Sequence, residues 1–202
     1  MDNSSVLRLE KVAEADFPTQ FGSFRIYGFA GHLGQRTEEA VVLKMGDLCG
    51  PPPLLRIHSQ CLTGDVFHSL RCDCRAQLEI ALKLIAGEGR GLLIYEHQEG
   101  RGIGLLNKLR AYELQDQGAD TVEANERLGF DSDLRSYQLP GAILQYFGLR
   151  AVRLLSNNPE KVQAVERAGV TVTERVPCVA EILDTRQAYL QTKREKMGHL
   201  FD

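Results

Sequence analysis

The chain has 202 residues, 43% hydrophobic and 25% charged, an ordinary globular composition with enough length to bury a core without covalent staples. A formal net charge of -3 leaves no basic excess to neutralise a phosphate polymer, so nucleic acid is not expected as a partner. The start, MDNSSVLRLEKV, has neither a cationic segment nor an apolar run, so secretion and membrane insertion are not expected and a cytoplasmic location is.

No linker, repeat or low-complexity run interrupts the sequence, and a single domain over 1–202 is expected. Its first fifty residues hold three strand-like segments, VLRLEKV, FGSFRIYGF and EEAVVLKMG, separated by Gly, Pro or charged turns. Prolines at 51–53 break the chain before LLRI re-enters the sheet. Over 76–86, Leu78, Ala81, Leu82 and Ile85 share one helical face, and Gly87 and Gly89 are expected to stop that helix. GLLIY at 91–95 is apolar throughout, as in a strand buried on both faces. The loop QEGRGIG then opens a helix whose inward positions should include Leu105, Leu106 and Leu109 and which ends at Gly118. A third helix is expected over 141–147 and a buried strand at VRLLS. Asn157, Asn158 and Pro159 supply an N-cap and a first-turn proline for a last helix, which stops at Gly169 before the strand VTVTERV. Strand, helix and strand in alternation imply parallel pairing by right-handed crossovers. The expected class is α/β: a mixed sheet with parallel βαβ units in the C-terminal two-thirds and an antiparallel, strand-rich N-terminal part.

Three of five cysteines crowd into RIHSQCLTGDVFHSLRCDCRAQ, at Cys61, Cys72 and Cys74. Without an export signal, such a cluster points to metal or catalysis before disulfides. In extended backbone Cys72 and Cys74 would present both sulfurs to one side, and a helix starting near Ala76 would turn its positive end towards them. Three readings stay open. The thiols could be small buried apolar groups. They could form a closed structural zinc site with His58 or His68 as fourth ligand, or an open site that keeps a position for water. Cys49 and Cys178 are expected to be ordinary buried thiols.

QEGRGIG sits where open α/β sheets bind ligands, and Arg101 could fork onto a phosphate there. It matches neither the dinucleotide fingerprint nor the P-loop, and a tight packing turn fits it equally well. Taken alone, Asp133 with Arg135 reads as a solvated surface pair. Arg56 with His58, and Lys161, share that default, while Tyr112 reads as a core aromatic.

In combination, CLTGD, SLRCDC, QEGRGIGLLNKLRAYELQDQGADTVEAN, LGF, RLLSNNPEKV, ERVP and TKREKMGHL resemble the GTP cyclohydrolase II family, whose reaction opens riboflavin biosynthesis. The likeness runs from about Arg56 to the end. It implies one zinc per chain on Cys61, Cys72 and Cys74, magnesium with the triphosphate, GTP as substrate and a homodimer. Zinc-activated water would attack the imidazole carbon of guanine and release it as formate. Pyrophosphate would leave after attack on the α-phosphate by Arg135, with Asp133 as proton acceptor, although electrostatic stabilisation by Arg135 is equally natural. The product would be a diamino-ribosylamino-pyrimidinone phosphate. Tyr112 corresponds to the family tyrosine associated with formate release. The same likeness places Arg56, Ile57, His58, Ser59, Gln60, Gln77, Glu99, Gly100, Arg101, Thr121, Ser156 and Lys161 around GTP.

The chain departs from the family pattern in places. Gln60 stands where the family has Glu, losing a charge and a proton acceptor. His97 replaces a common arginine close to the expected phosphates, Ser156 replaces threonine, and CVAEILDTRQAYL diverges. No dihydroxybutanone phosphate synthase domain fits this length, so the single-function form is expected. Zinc-dependent base deamination is disfavoured because His58-Ser59-Gln60 lacks its Glu and the downstream pair is Cys-x-Cys. A zinc-stabilised GTP-binding paralogue without turnover, and a specialised-pathway enzyme running the same first reaction, remain alternatives.

Overall fold

In the computed structural model, residues 7–131 and 133–180 are described. TKREKMGHL and most of the divergent stretch after Cys178 lie outside the described residues. Three long strands come first: β1 (Arg8–Thr19), β2 (Gly22–Leu33) and β3 (Arg36–Met45). They pair antiparallel through short turns. The strands β4 (Leu54–Ser59), β5 (Gly91–Glu96), β6 (Ala151–Leu155) and β7 (Thr171–Val176) follow. All seven form one sheet in the order β1-β2-β3-β5-β4-β6-β7. β5 meets β3 antiparallel, and β5, β4, β6 and β7 run parallel. The mixed α/β class and its division between an antiparallel start and parallel units are as expected.

Side chains alternate across each strand, so the sheet carries two apolar faces. On one, α2 (Cys74–Glu88) packs Ala81, Leu82 and Ile85 against Leu54, Leu93 and Leu155. On the other, α5 (Gln138–Tyr146) and α6 (Pro159–Arg167) bring Leu139, Ile143, Leu144 and Val165 against Leu55, Ile57, Leu92 and Ile94. Each such aliphatic side chain contributes about 1.5–3 kcal/mol on burial. The connection from β4 runs to β5 on one side, and the next two run to β6 and β7 on the other. Diverging crossovers of this kind open a crevice at the carboxyl edge of the sheet, beside the end of β4.

Several local expectations are corrected. Gly87 lies inside α2, and only Gly89, left-handed at φ +67°, caps it. α5 begins at Gln138 instead of near 141, because Pro140 falls in the first turn, where no intrahelical N–H bond is lost. Two short helices were not anticipated, α1 (Leu62–Asp65) and α4 (Thr121–Arg127). α4 is specified by a capping box in which Asp120 accepts from Val122 and Glu123 and Glu123 answers to the Asp120 N–H. On α3 (Leu105–Asp116), Leu106 and Leu109 point outward, 72% and 44% exposed, and Leu105 is half-buried. The inward face instead holds Lys108, Ala111, Tyr112 and Gln115, which are spaced as one helical stripe. Cys49 is exposed, whereas Cys178 is buried as expected.

Candidate active site

The carboxyl ends of β4, β5 and β6 border a cleft enclosing about 1080 Å³, its open mouth included. Two groups of side chains define it. The first is the cysteine cluster. Cys61 follows β4 and opens the turn of α1, where its carbonyl accepts the Asp65 N–H at 2.7 Å. Cys74 is the first residue of α2, and Cys72 lies two residues before it. The sulfurs lie within 4.8 Å of one another, with Cys61 Sγ and Cys72 Sγ 3.6 Å apart. A tetrahedral zinc with bonds of about 2.3 Å places its sulfur ligands about 3.8 Å apart, so the donor set fits that ion. Gly64 leaves the space: a Cβ there would stand 2.8 Å from Cys72 Sγ and 3.1 Å from Cys61 Sγ. Among the described residues no histidine joins the three sulfurs. His68 is exposed and His58 Nε2 faces Asp65 Oδ1 at 3.3 Å, so neither supplies the fourth ligand of a closed site.

The cluster is held from behind by charged side chains. Asp65 accepts from the Cys61 N–H at 3.0 Å and the Tyr95 hydroxyl at 2.7 Å, besides facing His58. Glu99 accepts from the Leu62 N–H at 2.7 Å and from Lys108 Nζ at 2.6 Å. Lys108 Nζ also donates to Cys61 Sγ at 3.1 Å and Thr63 Oγ1 at 2.9 Å. Hydrogen bonds from the Cys72 and Cys74 thiols, with Lys108 adjacent, push Cys61 strongly towards thiolate. Donating to it pushes the Cys72 thiol up to about 11. Desolvation opposes the Lys108 charge, but the Glu99 bond and the Cys61 sulfur override it and raise its pKa. The Tyr112 hydroxyl lies 3.2 Å from Thr63 Oγ1, and Arg71 stacks on its ring, 4.8 Å from the centroid. Tyr112 therefore faces the cleft and is not a core aromatic.

The second group is cationic. Arg56, only 5% exposed, donates to the Leu155 carbonyl at 2.9 Å and to Gln77 Oε1 at 2.7 Å. Gln77 in turn donates to Asp73, the residue between Cys72 and Cys74, and so couples the two groups. Lys161, also buried, donates to the Ile57 carbonyl at 2.8 Å. Asp133 and Arg135 are paired through three nitrogen–oxygen contacts at about a tenth exposure, far from the solvated pair the sequence suggests. Burial alone would raise the Asp133 carboxyl, but the Arg135 bonds hold it below its ordinary value. Beneath them sits Glu96, 1% exposed, whose carboxyl burial pushes up to about 8 despite Lys161 and Arg135 nearby. Ser156 shapes the turn into α6, exchanging bonds with the Asn158 backbone, and Asn158 Oδ1 caps Glu160 as expected. Among the described residues the lining carries Arg56, Arg71, Arg101, Lys108, Arg135 and Lys161 against one carboxylate, Glu99. A chain of net charge -3 thus concentrates positive charge in its cleft.

Most sequence-predicted residues meet here: Cys61, Cys72, Cys74, Arg56, His58, Ser59, Gln60 and Gln77 line the cleft, as do Glu99, Gly100, Arg101, Tyr112, Thr121, Arg135, Ser156 and Lys161. Ile57 and Asp133 do not. The Ile57 side chain is in the core and only its carbonyl reaches Lys161, and Asp133 stands behind Arg135. His97 is outside too, in a separate hollow with Arg36 and Glu38, its Nδ1 3.6 Å from Glu39. Sequence reasoning passed over Lys108, Asp65, Glu96 and Gln98. Only Lys108 left a readable signal, its i, i+4 spacing to Tyr112.

Residues 10–177 match the family model for GTP cyclohydrolase II. The chain is 56% identical over 191 residues to the GTP cyclohydrolase-2 of Azotobacter vinelandii, covering 94% of this chain and 90% of that one. It is 53% identical over 194 residues to the GTP cyclohydrolase-2 of Neisseria meningitidis, with 95% and 96% covered. To the riboflavin biosynthesis protein RibBA of Bacillus subtilis it is 51% identical over 194 residues, spanning 48% of that longer protein. A solved structure of RibBX, a two domain 3,4-dihydroxy-2-butanone 4-phosphate synthase from A. baumannii, aligns at a TM-score of 0.48 and 16% identity over 86% of this chain and 40% of that one, too distant to bear on the fold. Matched along nearly its whole length by relatives more than half identical to it, the chain belongs to the GTP cyclohydrolase II family of hydrolases.

Proposed function

We propose that this protein hydrolyses GTP, opening the imidazole ring of guanine with release of formate and pyrophosphate to give the diamino-ribosylamino-pyrimidinone phosphate, the first step of riboflavin biosynthesis. The observation that carries the proposal is the sharing of one cleft by a three-sulfur donor set and a concentration of cations. Cys61, Cys72 and Cys74 would hold one zinc, which when bound supplies the Lewis acidity that makes water nucleophilic near neutral pH.

The remaining work falls to the chain. Arg56, Arg101, Arg135 and Lys161 attract and orient the triphosphate, which magnesium accompanies. Buried and already paired, Arg56 and Arg135 need little reorganisation to meet developing negative charge. Asp133 fixes the plane of the Arg135 guanidinium by gripping it from behind and can receive a proton from it. Tyr112, poised beside Thr63 and the sulfurs, is placed to assist formate departure. Gln60 keeps the hydrogen-bonding reach of the family's Glu at the cleft wall without its charge. A homodimer and a cytoplasmic location belong to the same proposal; among the described residues no helix is long and apolar enough to cross a membrane.

Incubation of the purified protein with GTP and Mg²⁺ tests it. Formate and pyrophosphate in equal amounts are expected. Ammonia in place of formate would indicate deamination, and tight GTP binding with no product would indicate a binding paralogue.

A further inference from the structure

We propose that Gln98 is a positioning residue: its side-chain amide fixes the backbone of Ser136 and thereby aims Arg135 into the cleft. This deepens the functional proposal above and rests on it, because that proposal gives Arg135 its task.

The geometry is specific. Gln98 Oε1 accepts the Ser136 N–H at 2.9 Å, and Gln98 Nε2 donates to the Ser136 carbonyl at 2.6 Å. The amide thus pairs with Ser136 as a neighbouring strand would. Nε2 also donates to Glu96 Oε1 at 2.8 Å, so only one orientation of the amide satisfies all three partners. Gln98 is 9% exposed and lies two residues past the end of β5, so the clamp is anchored close to the rigid sheet.

Two further contacts extend the mould. The Leu134 N–H donates to the Arg101 carbonyl at 3.0 Å. Gly102, left-handed at φ +92°, lies so close that a Cβ would stand 3.1 Å from the Leu134 carbonyl carbon and oxygen. Arg135 is therefore bracketed by two residues tied to 98–102. Its own N–H and guanidinium bind Asp133 within the same loop, and its hydrogen bond beyond the loop, from Nη1 to Ser59 Oγ, is long at 3.5 Å, so the 98–102 contacts are the closer anchors of the loop against the cleft. The glycine-rich segment, which by sequence reads equally as a ligand loop or a tight packing turn, is also the template for the loop that carries Arg135.

Gln98→Met keeps the side-chain length and removes all three bonds. Gln98→Glu keeps the acceptor for the Ser136 N–H and sets a carboxylate against Ser136 O and Glu96. For Gln98→Met the rate of pyrophosphate release should fall about 10–100-fold, the cost of a misplaced group of this kind. KM for GTP should stay within about threefold, because the other cations still bind the substrate. Zinc should stay at wild-type content, and amide exchange at Leu134 and Ser136 should quicken at least about tenfold while β5 is unchanged. Gln98→Glu should give a smaller loss of the same kind, and it carries both readouts if the Met variant does not fold.

Wild-type kcat and unchanged exchange in a folded variant would overturn the proposal. So would a loss confined to KM, or one that follows zinc content or folded fraction. A wild-type protein that releases no pyrophosphate would instead sink the functional proposal, and amide exchange would still decide whether the clamp holds the loop.

Discussion

The two groups that face each other across the cleft are assembled in different ways. The sulfur cluster is local: Cys61, Cys72 and Cys74 span a short segment, and the turn of α1 with the first residue of α2 brings them together. The cationic group is tertiary. Arg56 reaches a carbonyl 99 residues away and Lys161 one 104 residues away, so β4, β6 and α6 must all be docked before either cation is placed. A local donor set should respond to change in an all-or-none way. A charge group spread over several elements should respond by degrees.

The largest effect tests the first half of that contrast. Cys72→Ser should reduce bound zinc from one per chain to none and formate release to background, measured by elemental analysis and product assay; retained formate production would mean the cluster is not catalytic. Arg135→Ala should slow pyrophosphate release about 10²–10³-fold while zinc stays bound, since one preorganised charge is removed and the sulfurs are untouched. Loss of zinc in that variant would merge the two groups into one. Lys108→Met removes an ammonium donor from a sulfur ligand, and zinc affinity in chelator competition should fall about 10–100-fold. No change would confine Lys108 to pairing with Glu99.

The last effect, read in stability and not in activity, concerns Glu96 beneath the cations. Its folded pKa, about 8, lies above its ordinary 4.5, so the folded state holds a proton that the unfolded state releases. Its contribution to stability is complete below about 4.5 and is lost as pH rises to about 8. Denaturant unfolding should show wild type losing up to about 1.4 kcal/mol per pH unit relative to Glu96→Gln across that window. Parallel curves would show that Glu96 is not neutral in the folded protein.

The same contrast explains what was legible in the sequence. The parallel core reads well because GLLIY and VRLLS are continuous apolar runs, and Asn158 with Pro159 marks the start of α6. The three cysteines read well because their spacing is local. α3 departs from its sequence pattern: its leucines suggest an inward face, whereas Lys108 and Tyr112 turn inward to meet Thr63 and the Cys61 sulfur. Burial of Arg56, Lys161 and the Asp133–Arg135 pair was invisible, since each depends on partners supplied by distant elements. Glu96 left no trace, and Gln98 opens the QEGRGIG motif without any sign of its role, because their partners are a backbone and a buried hollow with no sequence pattern. His97 and Gln60 show the reverse: both stand out as departures, but only Gln60 faces the cleft.

Zinc titration of chelator-stripped protein, with formate release followed in GTP and Mg²⁺, tests the central claim most directly. Activity absent before addition and rising linearly to a plateau at one zinc per chain is the predicted result. Formate release at full rate in the stripped protein, indifferent to added metal, would contradict it.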